Sequence, residues 1–401
     1  MIGAMNSSST IAVGLSGGVD SALAAAILVE SGYKVIGLTM KIWKGAYKIQ
    51  EGLKHACFGP GEEEDIAACQ AIAARLGIDY KVIDLSEEYE ARVLEYFRAE
   101  YKAGRTPNPC IICNRELKFG FLVDKAHEAG IQFNYFATGH YVRKESRNGV
   151  TFLKTAVDTS KDQSYFLYGL ESSRLERILF PLGELTKEEV RRRALALDLE
   201  VAEKPESQDF VAGGDYTPLF ESSKPEPGDI VDTKGMVLGQ HRGLPFYTIG
   251  QRRGLGVSIG PEPLYVLGVD AKMNRVIVGP NNGLFSSGLI SRDFRFQDPT
   301  MARSRIAGLG KIRQNHKPAA CTLFAADPSD LDSHAPPSVK GTLGESRDAS
   351  LDYGVRVQFE LAQRAVAPGQ SFVLYSDEGL VLGGGVIDEA IADTNADSLH
   401  S

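Results

Sequence analysis

A short glycine-containing turn near the N-terminus constrains the fold of this chain more than any other feature of the sequence. The turn, Ser16-Gly17-Gly18-Val19-Asp20-Ser21, follows a β-branched run and precedes an apolar pattern with helical spacing. Two glycines let consecutive backbone N–H groups approach one anion, and a helix that starts there adds the positive end of its dipole. The turn therefore predicts a loop that binds pyrophosphate. It is not a Walker A loop, because the Gly-Lys-Ser/Thr ending is absent.

The first part of the chain alternates strand and helix patterns, which is typical of a parallel sheet covered by helices. The strand candidates are Thr10 to Leu15, Lys34 to Met40, Tyr80 to Leu85 and Asn134 to Thr138. The helix candidates are Ser21 to Ser31, Glu62 to Leu76, Tyr89 to Ala103 and Arg115 to Ala129. Ligands of such open sheets bind beyond the carboxyl ends of the strands. We therefore predict an α/β domain with its site at the turns that follow these strands.

At 401 residues the chain is longer than one hydrophobic core usually supports, so several domains are expected. We assign residues 1–205 to the α/β domain, with a helical segment over 165–205. Turn-rich β patterns predict a small unit over 206–290 and a β-barrel over 291–390. A polar loop at 326–350 interrupts the barrel, and a polar tail occupies 391–401.

Net charge and cysteine usage narrow the class of protein and the cellular compartment. The net charge of −8 disfavours a protein that coats nucleic acid non-specifically, although local arginine clusters could still contact phosphates. The N-terminus has neither a basic leader nor a long apolar run, which predicts a cytoplasmic protein with no membrane partner. The five cysteines are therefore expected to be thiols, metal ligands or catalytic groups rather than disulfides.

The six-residue turn resembles the signature of the N-type ATP pyrophosphatases, the PP-loop superfamily. Further motifs narrow the resemblance to the tRNA-specific 2-thiouridylases of the MnmA/TrmU family, and they cover nearly the whole chain in order. They are Gly37 to Trp43, Gly104 to Pro109, Cys113 to Phe119, Ala137 to Tyr141, Lys161 to Leu167, Phe180 to Gly183, Lys204 to Asp209, Tyr247 to Gly256, Pro368 to Gln370 and Leu382 to Gly385. The resemblance implies a PP-loop catalytic domain, a small central domain and a C-terminal β-barrel, the latter two clasping tRNA. It also implies that ATP adenylates the C2 oxygen of a wobble uridine and that sulfur then displaces AMP.

The resemblance also assigns ligands to residues. ATP contacts are expected from Gly14, Leu15, Ser16, Gly17, Gly18, Val19, Asp20, Ser21, Met40 and Gly139. The carboxylate of Asp20 is suited to hold a Mg²⁺ ion that bridges the phosphates. Contacts with tRNA near the target base are expected from Lys161, Asp162 and Gln163, and contacts with its backbone phosphates from Arg252, Arg253 and Arg313.

The cysteines are where this chain departs from the family. Cys113 matches the cysteine that follows Thr-Pro-Asn-Pro, but the family's persulfide cysteine just after Ser-Gln-Asp is missing after Asp209. Cys110 instead forms a Cys-x-x-Cys with Cys113, and the thiolates of both are expected to have lowered pKa values ahead of a helix starting near Asn114. Together with Cys57, these thiolates could hold a 4Fe-4S cluster whose open iron binds sulfide. The predicted catalytic residues are Cys113, Cys110 and Asp20, and the predicted metal ligands are Cys57, Cys110 and Cys113.

Other interpretations stay open. The Cys-x-x-Cys pair is also compatible with a reversible disulfide or with bound zinc, whereas Cys69 and Cys321 fit core positions. The sulfur donor could be sulfide, a cysteine desulfurase or a relay protein. Two other functions are an amidating PP-loop ligase and a non-catalytic protein that binds tRNA or carries an iron–sulfur cluster. Release of AMP and pyrophosphate that depends on tRNA would separate these from thiolation.

Overall fold

The computed structural model describes residues 9–49, 56–199, 209–211, 215–221, 224–326 and 353–393. The chain divides into two compact units. The first comprises Met1–Leu94, Pro109–Leu219 and Gly379–Val381, and the second comprises Glu95–Asn108, Phe220–Glu378 and Leu382–Ser401. Within the described ranges, every helix is too short or too polar to cross a membrane.

The α-helices are α1 (Val19–Glu30), α2 (Glu62–Leu76), α3 (Ser86–Tyr89), α4 (Glu95–Lys102), α5 (Pro109–Ile112), α6 (Leu122–Glu128), α7 (Ser164–Leu167), α8 (Ser172–Leu175) and α9 (Lys187–Ala196). Two π-helical stretches occupy Glu90–Leu94 and Cys113–Phe121. The helix expected from about Asn114 thus begins at Pro109, where proline suits a first helical turn because it lacks an N–H. The helical segment predicted over 165–205 contains three helices, α7, α8 and α9, together with the short strand Ile178–Leu179, as far as Leu199. Residues 200–205 lie outside the described ranges.

The strands are β1 (Thr10–Gly14), β2 (Lys34–Lys41), β3 (Ala56–Phe58), β4 (Asp79–Asp84), β5 (Tyr135–Thr138), β6 (Val142–Arg147), β7 (Val150–Thr155), β8 (Ile178–Leu179), β9 (Asp209–Val211), β10 (Gly228–Val231), β11 (Val237–His241), β12 (Tyr265–Asp270), β13 (Arg275–Gly279), β14 (Phe285–Phe296), β15 (Ile306–Lys311), β16 (Ala319–Ala325), β17 (Tyr353–Arg364), β18 (Ser371–Tyr375) and β19 (Val381–Ala392).

A parallel five-stranded sheet forms the centre of the first unit, in the order β4-β2-β1-β5-β8. β1 lies in the middle, where Ile11, Ala12 and Val13 are fully buried. The last residue of β1 pairs with Leu38 on β2 and with Thr138 on β5, so these strands reach the same edge of the sheet. This arrangement confirms the predicted α/β class and brings the turns after the strands together.

Helix α1 packs against this sheet through small side chains. Ala25 and Leu28 share a core cluster with Ile11 and Val13, and all four are fully buried. Alanines let the helix axis approach the sheet closely, and full burial of a leucine such as Leu28 contributes about 2 kcal/mol. The helix ends before Gly32, whose φ of 81° few other residues adopt. This packing fixes where the N-terminus of α1 lies relative to β1.

The second unit contains a four-stranded sheet, ordered β11-β10-β13-β12, and a closed barrel, ordered β14-β17-β16-β15-β18-β19. The sheet buries Ile230, Val266 and Val276 completely in its core cluster. The predicted C-terminal barrel is confirmed, and its first strand begins at Phe285, ahead of the residue 291 at which we drew the boundary. Residues 327–350 of the predicted loop and 394–401 of the tail lie outside the described ranges.

Candidate active site

The glycine turn after β1 folds back on itself at the start of α1. Gly17 has a φ of +70°, and a Cβ built there would lie 3.0 Å from the carbonyl oxygen of Asp65, so a side chain is excluded twice over. The N–H of Ser16 donates to Oγ of Ser21 at 3.2 Å, and Ser21 Oγ donates to the carbonyl of Gly18 at 3.1 Å. Gly18 caps α1 without a side-chain hydrogen bond, which leaves N–H groups of the first turn available to an anion.

A cavity of about 350 Å³ opens over this turn in the first unit. All ten residues expected to contact ATP line it, namely Gly14, Leu15, Ser16, Gly17, Gly18, Val19, Asp20, Ser21, Met40 and Gly139. Cys57 and Gln163, predicted for other roles, line the same cavity. Four further side chains on its wall have no role predicted from the sequence: Glu62, Asp65, Lys118 and His140. The carboxyl ends of β1, β2 and β5 explain why segments so distant in sequence meet here.

The close contact between residue 139 and the phosphate-binding turn requires a glycine at this position. A Cβ built at Gly139 would lie 2.6 Å from the carbonyl carbon of Asp20 and 2.7 Å from the backbone nitrogen of Ser21. Real Cβ atoms do not approach backbone that closely, so only glycine lets the loop after β5 close against the N-terminus of α1. The loop residue therefore shapes the phosphate-binding turn through backbone contact alone.

The carboxylate of Asp20 is already paired. Lys187 donates to its two oxygens at 2.7 and 2.8 Å, and the hydroxyl of Tyr141 donates to Oδ1 at 2.7 Å. Lys187 is only 7% exposed, so this is a largely buried ion pair. Asp20 thus differs from the free metal ligand that the sequence suggested, because any cation at this carboxylate would share it with an ammonium.

Glu62 holds the segment after β2. Its carboxylate accepts hydrogen bonds from the backbone N–H groups of Ile42 at 2.7 Å and of Trp43 at 3.1 Å. Burial raises the pKa of Glu62, and these two hydrogen bonds oppose that rise. The indole of Trp43 packs edge-on against Phe58, with ring centroids 4.8 Å apart. Glu62 therefore fixes the wall of the cavity that carries Met40.

The three cysteines predicted to act together lie within electrostatic reach of one another. Cys57, on β3, and Cys113, at the start of the second π-helical stretch, each raise the pKa of the Cys110 thiol. All three thiols also raise the pKa of the buried Tyr89 hydroxyl, with burial as the larger cause. The structure contains them as free thiols rather than disulfides. These effects place three side chains from two distant segments within electrostatic reach, while their predicted role as joint ligands stays a prediction.

The predicted lowering of the cysteine pKa values is wrong. Burial raises the pKa of Cys110 to about 12, and burial raises that of Cys113 to about 11. Desolvation likewise raises the pKa of Cys57, although this residue on β3 is solvent-exposed. The helix begins at Pro109, so both sulfurs lie inside its first turns rather than ahead of its N-terminus, and desolvation of the thiolate dominates. Cys69 and Cys321 are buried, as predicted for core residues.

The arrangement of possible metal ligands is less complete than the sequence suggested. Among the residues that the structure describes, no three His, Cys, Asp or Glu side chains stand where they could together hold a metal ion. Cys57, Cys110 and Cys113 thus share a neighbourhood without forming a ready cluster site. The proposed 4Fe-4S ligation stays a prediction.

The residues predicted to contact tRNA near the target base have different environments. Asp162 is 6% exposed, and its carboxylate accepts hydrogen bonds from Ala156 N at 3.0 Å and from Ser164 Oγ at 2.7 Å. This position suits holding its own loop rather than meeting RNA. Lys161 is half-buried, while Gln163 lines the cavity and its Oε1 accepts the N–H of Tyr141 at 2.9 Å.

The three arginines predicted for tRNA phosphates lie in the second unit. Arg252 and Arg253 are exposed. Arg313 is half-buried, and its guanidinium donates to the carbonyls of Arg364 at 3.3 Å and Ala365 at 3.4 Å. It also lines a barrel cavity of about 550 Å³. Arg313 therefore has a structural function in the barrel whether or not it meets RNA.

Three residues of the site, Lys118, His140 and Lys187, were not predicted from the sequence. Lys118 and His140 both lay inside quoted motifs, Cys113 to Phe119 and Ala137 to Tyr141, but nothing in a motif tells which member faces a cavity. Lys187 had no such signal, because its pairing with Asp20 joins residues 167 positions apart.

Three family matches cover the chain in order. The family described as the tRNA methyl transferase HUP domain matches residues 9–212, the tRNA methyl transferase PRC-barrel domain matches 219–280, and the aminomethyltransferase beta-barrel domain matches 334–387. Among solved structures, a 4-thiouridine synthetase–RNA complex with bound ATP is 15% identical with a TM-score of 0.31, covering 51% of this chain and 46% of that chain. That likeness is too low to bear on the fold or the site.

Curated relatives match far more closely. The tRNA-specific 2-thiouridylase MnmA of Endomicrobium trichonymphae is 42% identical over 387 residues, which are 96% of this chain and 100% of that protein. The tRNA-specific 2-thiouridylase MnmA of Acetivibrio thermocellus is 40% identical over 384 residues, which are 94% of this chain and 98% of that protein. With identity at this level from end to end, and with the PP-loop site in place, the chain belongs to the MnmA family of tRNA-specific 2-thiouridylases.

Proposed function

We propose that this protein uses ATP to replace the C2 oxygen of a uridine in tRNA with sulfur. The observation that supports this most directly is a single cavity whose wall contains both the phosphate-binding turn and a thiol, that of Cys57. An amidating ligase would need the turn but would have no use for three interacting thiols beside it. The family descriptions mention methyl transfer, whereas the full-length relatives are named 2-thiouridylases, and the thiols agree with the relatives.

The first half-reaction is adenylation. The N–H groups of the turn and of the first turn of α1 would bind the pyrophosphate part of ATP, and the positive end of the helix dipole stabilises the negative charge there. The uridine O2 attacks the α-phosphorus, the bond to pyrophosphate breaks, and pyrophosphate leaves with the electron pair. Lys187 holds Asp20 in place beneath the phosphates during this step.

Two carboxylates on the cavity wall would hold a magnesium ion. Asp20 and Asp65 line the cavity, and carboxylate oxygens are preferred ligands of Mg²⁺. A bound Mg²⁺ would neutralise phosphate charge. Since Asp20 already accepts from Lys187 and Tyr141, we assign its remaining oxygen lone pairs, together with Asp65, to the ion.

The second half-reaction needs a sulfur carrier, and Cys57 is the thiol best situated for it. Cys57 lines the ATP cavity, and its strand β3 pairs with β9, with Ala56 opposite Asp209 and Phe58 opposite Val211. β9 is the segment after Ser-Gln-Asp where the family has its persulfide cysteine, so Cys57 lies on the strand beside that missing residue. Ser207 and Gln208 themselves lie outside the described ranges.

The transfer balances as follows. A persulfide donor first transfers its outer sulfur to the Cys57 thiolate, so the donor's S–S bond breaks and the donor leaves as a thiol. The terminal sulfur anion of the Cys57 persulfide then attacks C2 of the adenylated uridine. The C2–O bond breaks, and AMP leaves with the oxygen and the electron pair. The thiolate of Cys113 then attacks Sγ of Cys57, so the persulfide S–S bond breaks and the terminal sulfur stays on C2. The resulting disulfide between the two cysteines must be reduced by a dithiol before the next turnover.

The same three thiols allow two other mechanisms of sulfur transfer. Cys110 is the second candidate for the resolving thiol, since the pKa of its thiol responds to both other sulfurs. A 4Fe-4S cluster on Cys57, Cys110 and Cys113 would supply an open iron for sulfide. The described side chains do not form a ready trio for it, so we derive no step through a cluster. Anaerobic reconstitution with iron and sulfide decides this point, because a cluster gives a brown protein that loses its colour in Cys57→Ala.

For tRNA we assign Lys161 and Gln163 to the neighbourhood of the target base, and Arg252, Arg253 and Arg313 to backbone phosphates. Gln163 lines the cavity, and Arg252 and Arg253 are exposed, which supports these roles most clearly. Asp162 would act by holding the loop on which Lys161 and Gln163 lie.

The test is mass spectrometry of tRNA nucleosides after incubation with ATP, Mg²⁺, a dithiol and a persulfide donor. As-isolated and cluster-reconstituted protein are compared, and the reconstituted protein is also given sulfide in place of the persulfide donor. We expect 2-thiouridine only when ATP is present, together with AMP and pyrophosphate. Pyrophosphate release without any thionucleoside from unmodified tRNA would instead favour an amidating ligase.

A further inference from the structure

The ammonium of Lys118 lies on the cavity wall close to the thiols. Lys118 lines the same cavity as Cys57 and the phosphate-binding turn. It lies five residues after Cys113 on the π-helical stretch Cys113–Phe121. Hydrogen bonds in a π-helix join residues i and i+5, and such π-helical turns recur at functional sites.

Lys118 is held in place by one hydrogen bond. Its Nζ donates to Oδ1 of Asn114 at 3.0 Å, and Asn114 is itself only 5% exposed. The amide nitrogen of Asn114 donates to the carbonyl of Phe166 at 3.5 Å, which ties the arrangement to α7. The flexible lysine side chain therefore has a fixed position before any ligand arrives, which reduces the entropy lost when it binds one.

Within the described ranges no carboxylate forms an ion pair with the Lys118 ammonium, whose hydrogen-bond partner is the amide oxygen of Asn114. Lys187, the other lysine near the turn, is different, because Asp20 accepts from it with both oxygens. A half-buried cation without a counter-charge favours an anion beside it. Lys118 is thus prepared for a negative group that arrives or forms during the reaction.

The sulfurs are the groups that respond to this charge. Lys118 lowers the pKa of the Cys113 thiol against the larger effect of burial, and it lowers those of Cys57 and Cys110 in the same way. Burial and Lys118 together also keep His140 from binding a proton, which leaves its imidazole neutral on the cavity wall. Of these sulfurs, that of Cys57 shares the cavity wall with the Lys118 ammonium.

We infer that Lys118 is a catalytic residue of the sulfur-transfer half-reaction, where its ammonium contacts the sulfur anion and holds it beside the adenylated uridine. This inference rests on the proposed thiolation and adds to it the group that stabilises the nucleophile. The two lysines then have separate roles. Lys187 positions Asp20 for adenylation, and Lys118 stabilises the sulfur anion for transfer.

The test compares Lys118→Met, Lys118→Arg and Lys187→Met in two separate assays. Adenylation is followed by tRNA-dependent pyrophosphate release, and transfer by 2-thiouridine formed in a single turnover of sulfur-loaded enzyme. For Lys118→Met we expect pyrophosphate release to stay within about twofold of the parent while transfer falls about 100-fold, the usual loss when one electrostatic group is removed from a reaction centre. Lys118→Arg should recover most of the transfer. Lys187→Met should instead reduce pyrophosphate release, and 2-thiouridine formation by the same factor, because transfer needs the adenylated uridine.

Asn114→Leu separates position from charge. It keeps the ammonium but removes the hydrogen bond that fixes it, so transfer should fall by about tenfold with pyrophosphate release unchanged. Equal losses in both assays for Lys118→Met would overturn the inference, because they would indicate binding of ATP phosphates or support of the fold. Unchanged transfer would overturn it as well. If the parent protein itself forms no 2-thiouridine, the proposed function fails, and that result is distinct from either of these.

Discussion

The two sides of the cavity differ in how their groups are paired. The phosphate side comprises the turn Ser16–Ser21 and Gly139, and the sulfur side comprises Cys57 and Lys118. On the phosphate side, backbone groups form the binding surface, because Gly17 and Gly139 allow close approach of main chain. The charges of Asp20 and Lys187 are already paired. On the sulfur side, the thiols have raised pKa values and the ammonium of Lys118 has no partner of opposite charge among the described residues. The phosphate side is therefore complete as it stands, whereas the sulfur side awaits a sulfur donor and a substrate.

Disruption of the phosphate side should have the largest effect. Gly139→Ala places a methyl group about 2.6 Å from the backbone of Asp20, so the turn must move away from its productive position. A displacement of this size costs about 100-fold or more in rate, and both half-reactions should be lost. Pyrophosphate release and 2-thiouridine formation measure them. Gly61→Ala is the control, since a Cβ there meets no atom within 4 Å, and the comparison would fail if both variants behaved alike.

Removal of the carrier thiol should affect one side alone. Cys57→Ser should abolish 2-thiouridine formation while tRNA-dependent pyrophosphate release continues, because serine keeps the shape of the strand but carries no sulfur. Cys321→Ala, which removes a buried thiol in the barrel, is the matched control and should leave both assays unchanged. Thiolation by Cys57→Ser at the parent rate would exclude Cys57 as the carrier.

The raised pKa values predict a pH dependence of the free thiols. Since the pKa of Cys113 is about 11, its alkylation by iodoacetamide should speed up about tenfold per pH unit from pH 8 to pH 10 without levelling off. The folded state favours the protonated thiol, whose ordinary pKa is 9.0, so this contribution to the free energy of unfolding is complete below pH 9 and declines as the pH rises towards 11. Peptide-resolved alkylation rates measure the first effect. A plateau below pH 9 would contradict the burial of this thiol.

The smallest effects should come from the arginines of the second unit. Arg253→Ala removes an exposed charge, so tRNA affinity should fall about threefold and the slope of log K against log salt should become shallower by about one. Arg313→Ala should instead lower the melting temperature, because its guanidinium donates to two barrel carbonyls. Salt titrations and thermal melts distinguish the two. An unchanged salt slope for Arg253→Ala would remove it from the tRNA surface.

The sequence predicted the phosphate side better than the sulfur side, for a physical reason. A phosphate-binding turn is local: six consecutive residues and the strand before them specify it, and each predicted ATP residue does line the cavity. The state of a thiol depends on burial by segments far away in sequence, so the predicted lowering of the Cys110 and Cys113 pKa values was wrong. The grouping of Cys57 with the other two stays a prediction, which rests on the way the edge of a parallel sheet brings its loops together.

The most direct test of the central claim, that one cavity activates the uridine oxygen with ATP and then replaces it with sulfur, follows that oxygen. A tRNA carrying ¹⁸O at C2 of the target uridine is incubated with the protein, ATP and a sulfur donor, and the products are analysed by mass spectrometry. The account predicts one ¹⁸O atom in AMP for each 2-thiouridine formed. Label in inorganic phosphate or water, with unlabelled AMP, would contradict it.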